Sequence, residues 1–200
     1  MRKTACFLTL LLPAAAAILE AQVEYYARVG AVGGSDLVRD AIINEITVRP
    51  SVAPLLVLGG SLPVGPSGFR ADLEGALSSG KYHSRELGAN TDLGTLRTGS
   101  LTLGLEGPIR RQLRWRLGLG VLQYWPADDQ GVFLEGGATR YLVAAGASYR
   151  HPVLPKWDLM TSLQYDFHRF TTDALRARGF SQTQGVSRIA LSVGLSRRTR

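Results

Sequence analysis

The sequence predicts an all-β protein, an eight-stranded antiparallel up-and-down transmembrane barrel. Three observations lead there. From residue 23 onward, short segments alternate an apolar parity with a parity of Gly, Ser, Thr and charge, the period of two that marks a strand. The connections between these segments are long and short by turns. No run between residues 22 and 200 is apolar enough for a membrane helix, whereas a spanning strand needs only ~9–11 residues and shows lipid one face.

Residues 1–21 read as a signal peptide. Arg2 and Lys3 form a positive start, Ala5 to Leu19 is apolar apart from Thr9 and Pro13, and Ile18-Leu19-Glu20-Ala21 offers a cleavage site that releases Gln22. The stretch is too short for a membrane helix and lacks a stop-transfer flank. Residues 22–200 then form the barrel domain. Cys6 is the only cysteine, so the exported domain has none for disulfides, thiol catalysis or metal binding. The chain has 23 basic and 16 acidic residues, a net charge of +7. No helix gathers this excess, and an exported chain does not meet nucleic acid. Anionic lipids are the partner the charge suits.

The first strand is expected at 23–32, with Val23, Tyr25, Ala27, Val29 and Ala31 opposed to Glu24, Tyr26, Arg28 and Gly30. The second, 47–60, fits worst: Pro50 and Pro54 each remove a ladder donor, and Leu55 to Leu58 is apolar on both faces. Even closure requires it. At 69–77, Phe69, Ala71, Leu73 and Leu77 face Arg70, Asp72, Glu74 and Ala76. At 99–106, Leu101, Leu103 and Leu105 face Thr102, Gly104 and Glu106. The segment 113–121 is clearest, with Leu113, Trp115, Leu117, Leu119 and Val121 against Arg114, Arg116, Gly118 and Gly120. At 139–149, Tyr141, Val143, Ala145, Ala147 and Tyr149 stand against Arg140, Leu142, Ala144, Gly146 and Ser148. At 157–167, Trp157, Leu159, Thr161, Leu163, Tyr165 and Phe167 oppose Asp158, Met160, Ser162, Gln164, Asp166 and His168. At 187–195, Ile189, Leu191 and Val193 oppose Arg188, Ala190, Ser192 and Gly194.

The gaps 61–68, 107–112 and 151–156 are tight and hold Pro or Gly, while 33–46, 81–92, 125–137 and 171–184 are long and polar. Outer-membrane barrels show this asymmetry, with short periplasmic turns and long outer loops. The loops around Ser35-Asp36, Asn90-Thr91-Asp92, Asp128-Asp129 and Phe180-Ser181-Gln182 are then expected outside. In such a barrel lipid takes the apolar row, and the interior must satisfy its charges internally. The expected interior network is Arg28, Arg70, Asp72, Glu74, Glu106, Arg114, Arg116, Arg140, Asp166, His168 and Arg188. The expected lipid-facing set is Leu101, Leu103, Leu105, Leu113, Trp115, Leu117, Leu119, Val121, Leu159, Leu163, Ile189, Leu191 and Val193. Glycines such as Gly118, Gly120, Gly146 and Gly194 would leave room for arginines. Aromatics near strand ends, among them Tyr25, Tyr26, Tyr124, Trp125, Trp157 and Phe170, suit interfacial girdles.

With these features the chain resembles the small eight-stranded outer-membrane barrels of the OmpA-like, OmpX-like and OmpW-like kind, over about 23–196. The resemblance rests on architecture and not on a diagnostic motif. It implies residence in the outer membrane of a Gram-negative-type bacterium as a monomer among outer-membrane lipids, and insertion by the barrel-assembly machinery. One departure is visible. Those families close on a terminal aromatic, whereas here Gly185 to Leu195 runs on into Ser196-Arg197-Arg198-Thr199-Arg200.

A lumen filled with charge predicts a non-enzymatic barrel with a structural or surface-interaction role, since an eight-stranded interior is just wide enough for side chains to fill. The alternative is a narrow channel for small hydrophobic solutes, which OmpW-like barrels suggest and to which Leu96, Leu122 and Leu142 would lend an apolar patch. A lipid-modifying enzyme is a third reading. Ser162, Asp166 and His168 share one strand face, yet a nucleophilic triad draws its members from different strands. No cofactor or metal site is expected: His83, His151 and His168 lie in three separate segments, and Asp128-Asp129 lacks the further oxygen ligands of a calcium loop.

Overall fold

The computed structural model describes residues 23–40, 46–86, 88–134, 136–177, 179 and 183–199. The leader and the Phe180-Ser181-Gln182 loop segment lie outside these residues. Ten strands form one antiparallel sheet: β1 (Glu24–Gly34), β2 (Val38–Asp40), β3 (Ile46–Pro50), β4 (Ala53–Val64), β5 (Phe69–Glu86), β6 (Ala89–Pro108), β7 (Leu113–Pro126), β8 (Ala138–Leu154), β9 (Trp157–Phe170) and β10 (Gln184–Arg198). β1 pairs with β4 on one side and β10 on the other. From β10 the pairing runs through β9, β8, β7 and β6 to β5, which pairs with β4. The short strands β2 and β3 add to β5 beyond the end of β4.

Because side chains alternate across a strand, this register sets a single buried parity. Even-numbered residues are turned inward on β1 and on β5 to β10, as Glu24, Tyr26 and Arg28 illustrate, except at Leu93, which is buried beside the β5–β6 register shift. On β4 the odd residues Ala53, Leu55, Val57 and Ser61 are buried instead. The opposite parity is exposed and largely apolar, reaching 87% at Tyr141 and 67% at Leu119. One end carries the tight turns, where Gly65 and Gly68 adopt φ of 70° and 78°, together with the start of β1 and the end of β10. The other end carries β2 and β3, a 3₁₀ turn at Gly131–Phe133 and a short helix at Asp173–Ala177.

Three expectations change. The segment 47–60 is two strands, not one: β3 stops at Pro50, β4 starts at Ala53, and Ser51 N–H donates to Lys81 O at 2.8 Å in the break. Pro50 thus ends one strand, and Pro54 lies near the start of the next. Leu55 and Val57 look out of pattern because they face an apolar sector of the interior shared with Val32, Met160 and Ala190. Second, 81–92 is no irregular loop. β5 and β6 continue as a ladder to Glu86↔Ala89, with a register shift between Lys81 and His83. Third, Tyr26, Tyr124 and Phe170 are buried inside the sheet and take no part in a girdle, because they sit on the even parity. Trp115 does sit on the outer face, packed edge-on against Phe69 at 6.0 Å.

A fold whose long strands each have two partners resists detergent until heated. The refolded protein is expected to migrate differently on unheated and boiled gels and to give a strand-dominated far-UV circular dichroism spectrum; a helical spectrum would contradict the fold.

Candidate functional site

The enclosed side of the sheet is divided into two layers. Nearest the tight turns is a layer of ion pairs. Arg150 Nη1 lies 2.5 Å from Glu24 Oε1, and its Nη2 donates to Glu106 Oε2 at 2.8 Å. Arg150 thereby joins β8 to β1 and β6, neither of which is its sheet neighbour. Arg114 Nε approaches Glu106 at 3.4 Å and Arg70 Nε approaches Glu24 at 3.8 Å. A little higher, Arg28 pairs with Glu74, which also accepts from the Tyr26 hydroxyl at 3.1 Å. Arg116 Nε donates to Asp72 Oδ2 at 2.7 Å and its Nη2 donates to Thr102 Oγ1 at 2.7 Å. Fixed guanidinium forks suit this arrangement, since one arginine can serve two acceptors.

Two glycines make the layer possible. A Cβ on Gly104 would sit on the Asp72 carboxylate, and one on Gly59 would sit on the Tyr26 ring. By contrast, a Cβ on Gly120, Gly146 or Gly194 would strike the backbone of the adjoining strand, so these three are not chiefly making room for arginines.

Toward the loop end the interior turns apolar. Leu96, Leu122 and Leu142 are buried there with Tyr82, Tyr124, Phe133 and Phe170. Phe133, carried by the connection after β7, stacks edge-on against Tyr82 at 5.9 Å and Phe170 at 5.7 Å, and lies 5.8 Å from Tyr124. Leu37 and Val38 close the layer from the β1–β3 side. A cavity of about 40 Å³ remains, bordered by Val32, Ala53, Leu96, Tyr124 and Val186. It abuts the one stretch where β1 loses a strand neighbour: β1–β4 pairing ends at Val32↔Ala53, and Gly33 and Gly34 continue beside Pro50 and Val52 without a ladder.

His168, Asp166, Arg140 and Arg188 lie between the layers. His168 Nε2 is 2.7 Å from the Tyr124 hydroxyl, while His168 Nδ1 has no hydrogen-bond partner among the described residues. Asp166 Oδ1 accepts from the Gln164 amide at 2.8 Å. A nucleophilic triad requires an acid on the second ring nitrogen, and here that nitrogen is unserved. Arg188 lies opposite Asp166 in the ladder and reaches Thr98 Oγ1 at 3.3 Å. Arg140 donates to the Thr139 carbonyl at 2.6 Å and lies over the Phe170 ring at 5.8 Å.

Of the sequence-predicted interior residues, Arg28, Asp72, Glu74, Glu106, Arg116, Asp166, His168 and Arg188 are buried, and Arg70, Arg114 and Arg140 half-buried. Of the predicted outer set, Leu101, Leu103, Leu105, Leu117, Leu119, Val121, Leu159, Leu163, Ile189, Leu191 and Val193 are exposed, while Leu113 and Trp115 are half-buried. Sequence reasoning missed Glu24 and Arg150 as partners. Both carry the even parity of their strands, and extending the 139–149 strand by one residue would have included Arg150.

Beyond the layers, on the β5–β6 extension, Asp92 accepts from Gly94 N–H at 2.9 Å and from Lys81 Nζ at 3.0 Å. These donors hold its carboxyl below the ordinary aspartate range.

No family model matches the chain, and no curated protein matches it. Solved structures do. The outer membrane protein OprG from Pseudomonas aeruginosa aligns at 12% identity with a TM-score of 0.50, covering 90% of this chain and 97% of that one. AlkL, determined by solid-state NMR in lipid bilayers, aligns at 14% identity with a TM-score of 0.53 over 90% of each chain. A major outer membrane protein from Thermus thermophilus aligns at 12% with a TM-score of 0.53, covering 90% and 99%. The chain therefore has the all-β antiparallel fold of outer-membrane β-barrel proteins.

Two outcomes follow from the ion pairs. Arg116→Leu strips buried Asp72 of its partner and is expected to cost ~3–5 kcal/mol, whereas Arg116→Leu combined with Asp72→Leu recovers much of that loss; urea unfolding of vesicle-refolded protein measures both. Asp92 has a depressed folded pKa, so its support for the β5–β6 tip is present above the unfolded pKa and disappears as pH falls through the folded one. The amide shift of Gly94, followed by NMR in nanodiscs, is expected to titrate below the usual aspartate range, and Asp92→Asn abolishes the titration.

Proposed function

We propose that the chain is a closed, eight-stranded barrel of the outer membrane, without enzymatic activity, whose outer half admits small hydrophobic solutes. β1 and β4 to β10 make the ring, and β2 and β3 stand above it. The apolar parity faces lipid, the ion-paired layer lies toward the periplasm, and outer-membrane lipids and the barrel-assembly machinery are the partners. The observation that carries the solute reading is the contrast between layers. The lower one is crossed by ion pairs between strands, whereas the upper one is apolar and meets the wall where β1 keeps β10 but has no ladder partner on its β4 side. A solute entering past Phe133 has no way down through the charges, and its exit is sideways through the break at Gly33–Gly34 into the bilayer.

The alternative surface-interaction role draws on a different region, the β2–β3–β5–β6 extension. Against catalysis stands the unserved Nδ1 of His168.

Purified protein in planar bilayers is expected to carry no sustained ion current, while vesicles containing it take up naphthalene faster than protein-free vesicles. Phe133→Ala is expected to speed this uptake, and Ala53→Trp to abolish it by filling the cavity beside the break. Sustained ion conductance, or uptake indifferent to both changes, contradicts the reading. Leu119→Arg separately tests the membrane face: insertion is expected to cost ~2–4 kcal/mol near the bilayer midplane.

A further inference from the structure

The outward face of β4 to β7 holds a groove that the solute route does not use. Its floor is Gly75 and Gly99, and its sides are Leu56, Leu58, Leu101 and Trp125, enclosing about 370 Å³. A second depression of about 480 Å³ shares Leu56, Leu77 and Trp125 with it and carries it toward the loop end, where Arg97 stands at the rim. Arg97 lies directly across from Trp125 on one side and Ser79 on the other. Its guanidinium has no ion-pair partner among the described residues. Arginine beside tryptophan at the end of an apolar band marks the level of lipid headgroups.

Above Arg97 the same face becomes cationic. Along β5 the outward residues are Ser79, Lys81, His83 and Arg85, a rise of roughly 20 Å at ~3.3 Å per residue. A cleft of about 570 Å³ opens beside them, lined by Arg39, Arg49, Arg85 and His83, by one carboxylate, Asp36, and by the neutral hydrogen-bonding groups of Thr47 and Asn90. The register places Arg39, Thr47, Arg85 and Asn90 in one row across β2, β3, β5 and β6. Asp36 engages Arg49 at 2.6 Å and Asp92 engages Lys81 at 3.0 Å, which leaves Arg39 and Arg85 without carboxylate partners among the described residues.

We propose that this face binds one phosphorylated glycolipid of the outer leaflet. An acyl chain lies in the Gly75–Gly99 groove, a phosphate meets Arg97, and the sugar head with a further phosphate fills the Arg39–Arg85 cleft. An apolar groove continuous with a headgroup-level arginine, and that arginine followed by a cationic cleft holding hydroxyl and amide groups, matches an amphiphile with a large anionic saccharide head. A zwitterionic phospholipid uses the groove but leaves the cleft empty. The proposal rests on the outer-membrane reading, with the loop end outward.

The test uses full-length processed protein refolded into phosphatidylcholine nanodiscs containing a small fraction of lipid A, then counted for retained lipid by native mass spectrometry. One lipid A per protein is expected, in preference to phosphatidylcholine. Arg97→Ala with Arg85→Ala is expected to weaken retention about tenfold or more, as loss of charge-assisted hydrogen bonds does. Gly75→Leu has room for its Cβ, with the nearest atom at 3.9 Å, and is expected to weaken retention of lipid A without weakening binding of the deacylated, phosphorylated headgroup. The gel shift on heating confirms that each variant is folded. Equal retention by all variants, or phosphatidylcholine held as firmly as lipid A, overturns the proposal while leaving the barrel reading intact. Failure of the wild type to enter nanodiscs overturns both.

Discussion

Arg150 spans the interior to reach Glu24 and Glu106 on strands that are not its neighbours, and Arg116 and Arg28 likewise reach carboxylates on β5. The other features of the interior accommodate these cross-strand pairs. A buried guanidinium without a carboxylate is far more costly than an apolar side chain, so each pair must be complete and closely fitted. That requirement places glycine at 59 and 104, sets tyrosine and threonine around the charges as secondary partners, and gathers the ion pairs into one layer, with Asp166, Arg140 and Arg188 at its upper margin. The layer above is mostly apolar, its tyrosine hydroxyls apart, and takes side chains from the connections, as Phe133 and Leu37 show.

The outer surface follows a different rule. Its row on β8 to β10 is mostly aliphatic with tyrosine and phenylalanine among it, whereas on β5 to β7 Gly75, Gly99 and Trp125 break the row of leucines. Interior and exterior are thus differentiated in the same direction along the strands, each passing from one chemistry to another between the turn end and the loop end. The interior goes from charged to apolar and the exterior from apolar to cationic.

Much of this was legible in the sequence because a period of two cannot be hidden in strands that are charged or polar on one face and apolar on the other. Leu113 to Val121 against Arg114 to Gly120 is the plainest instance. The pattern failed where the interior is itself apolar: Leu55 and Val57 face Met160 and Val32, so β4 has no polar parity to read. It failed again at 81–92, where Lys81, His83, Arg85 and Asp92 suggested a loop although Tyr82 on the other parity is wholly buried. The aromatics were ambiguous by type but not by position. Tyr26, Tyr124 and Phe170 share the parity of the arginines, and that placement alone distinguishes them from Tyr25 and Trp125. The partners of each charge were not legible, because pairing across the interior depends on the stagger between strands, which no local period encodes.

The pairing of β1 with β10 joins residues such as Glu24 and Arg198 that stand at opposite ends of the chain. Every other neighbour of the long strands can be found by a hairpin or a short excursion, but this seam has to wait for the last strand to arrive. Until then β1 presents one row of unpaired N–H and C=O groups, and in transit such an edge invites pairing with the wrong chain. The ladder therefore stays incomplete for as long as β10 is missing. The rate at which the sheet is completed then depends on this one contact of greatest sequence separation more than on the strength of any ion pair.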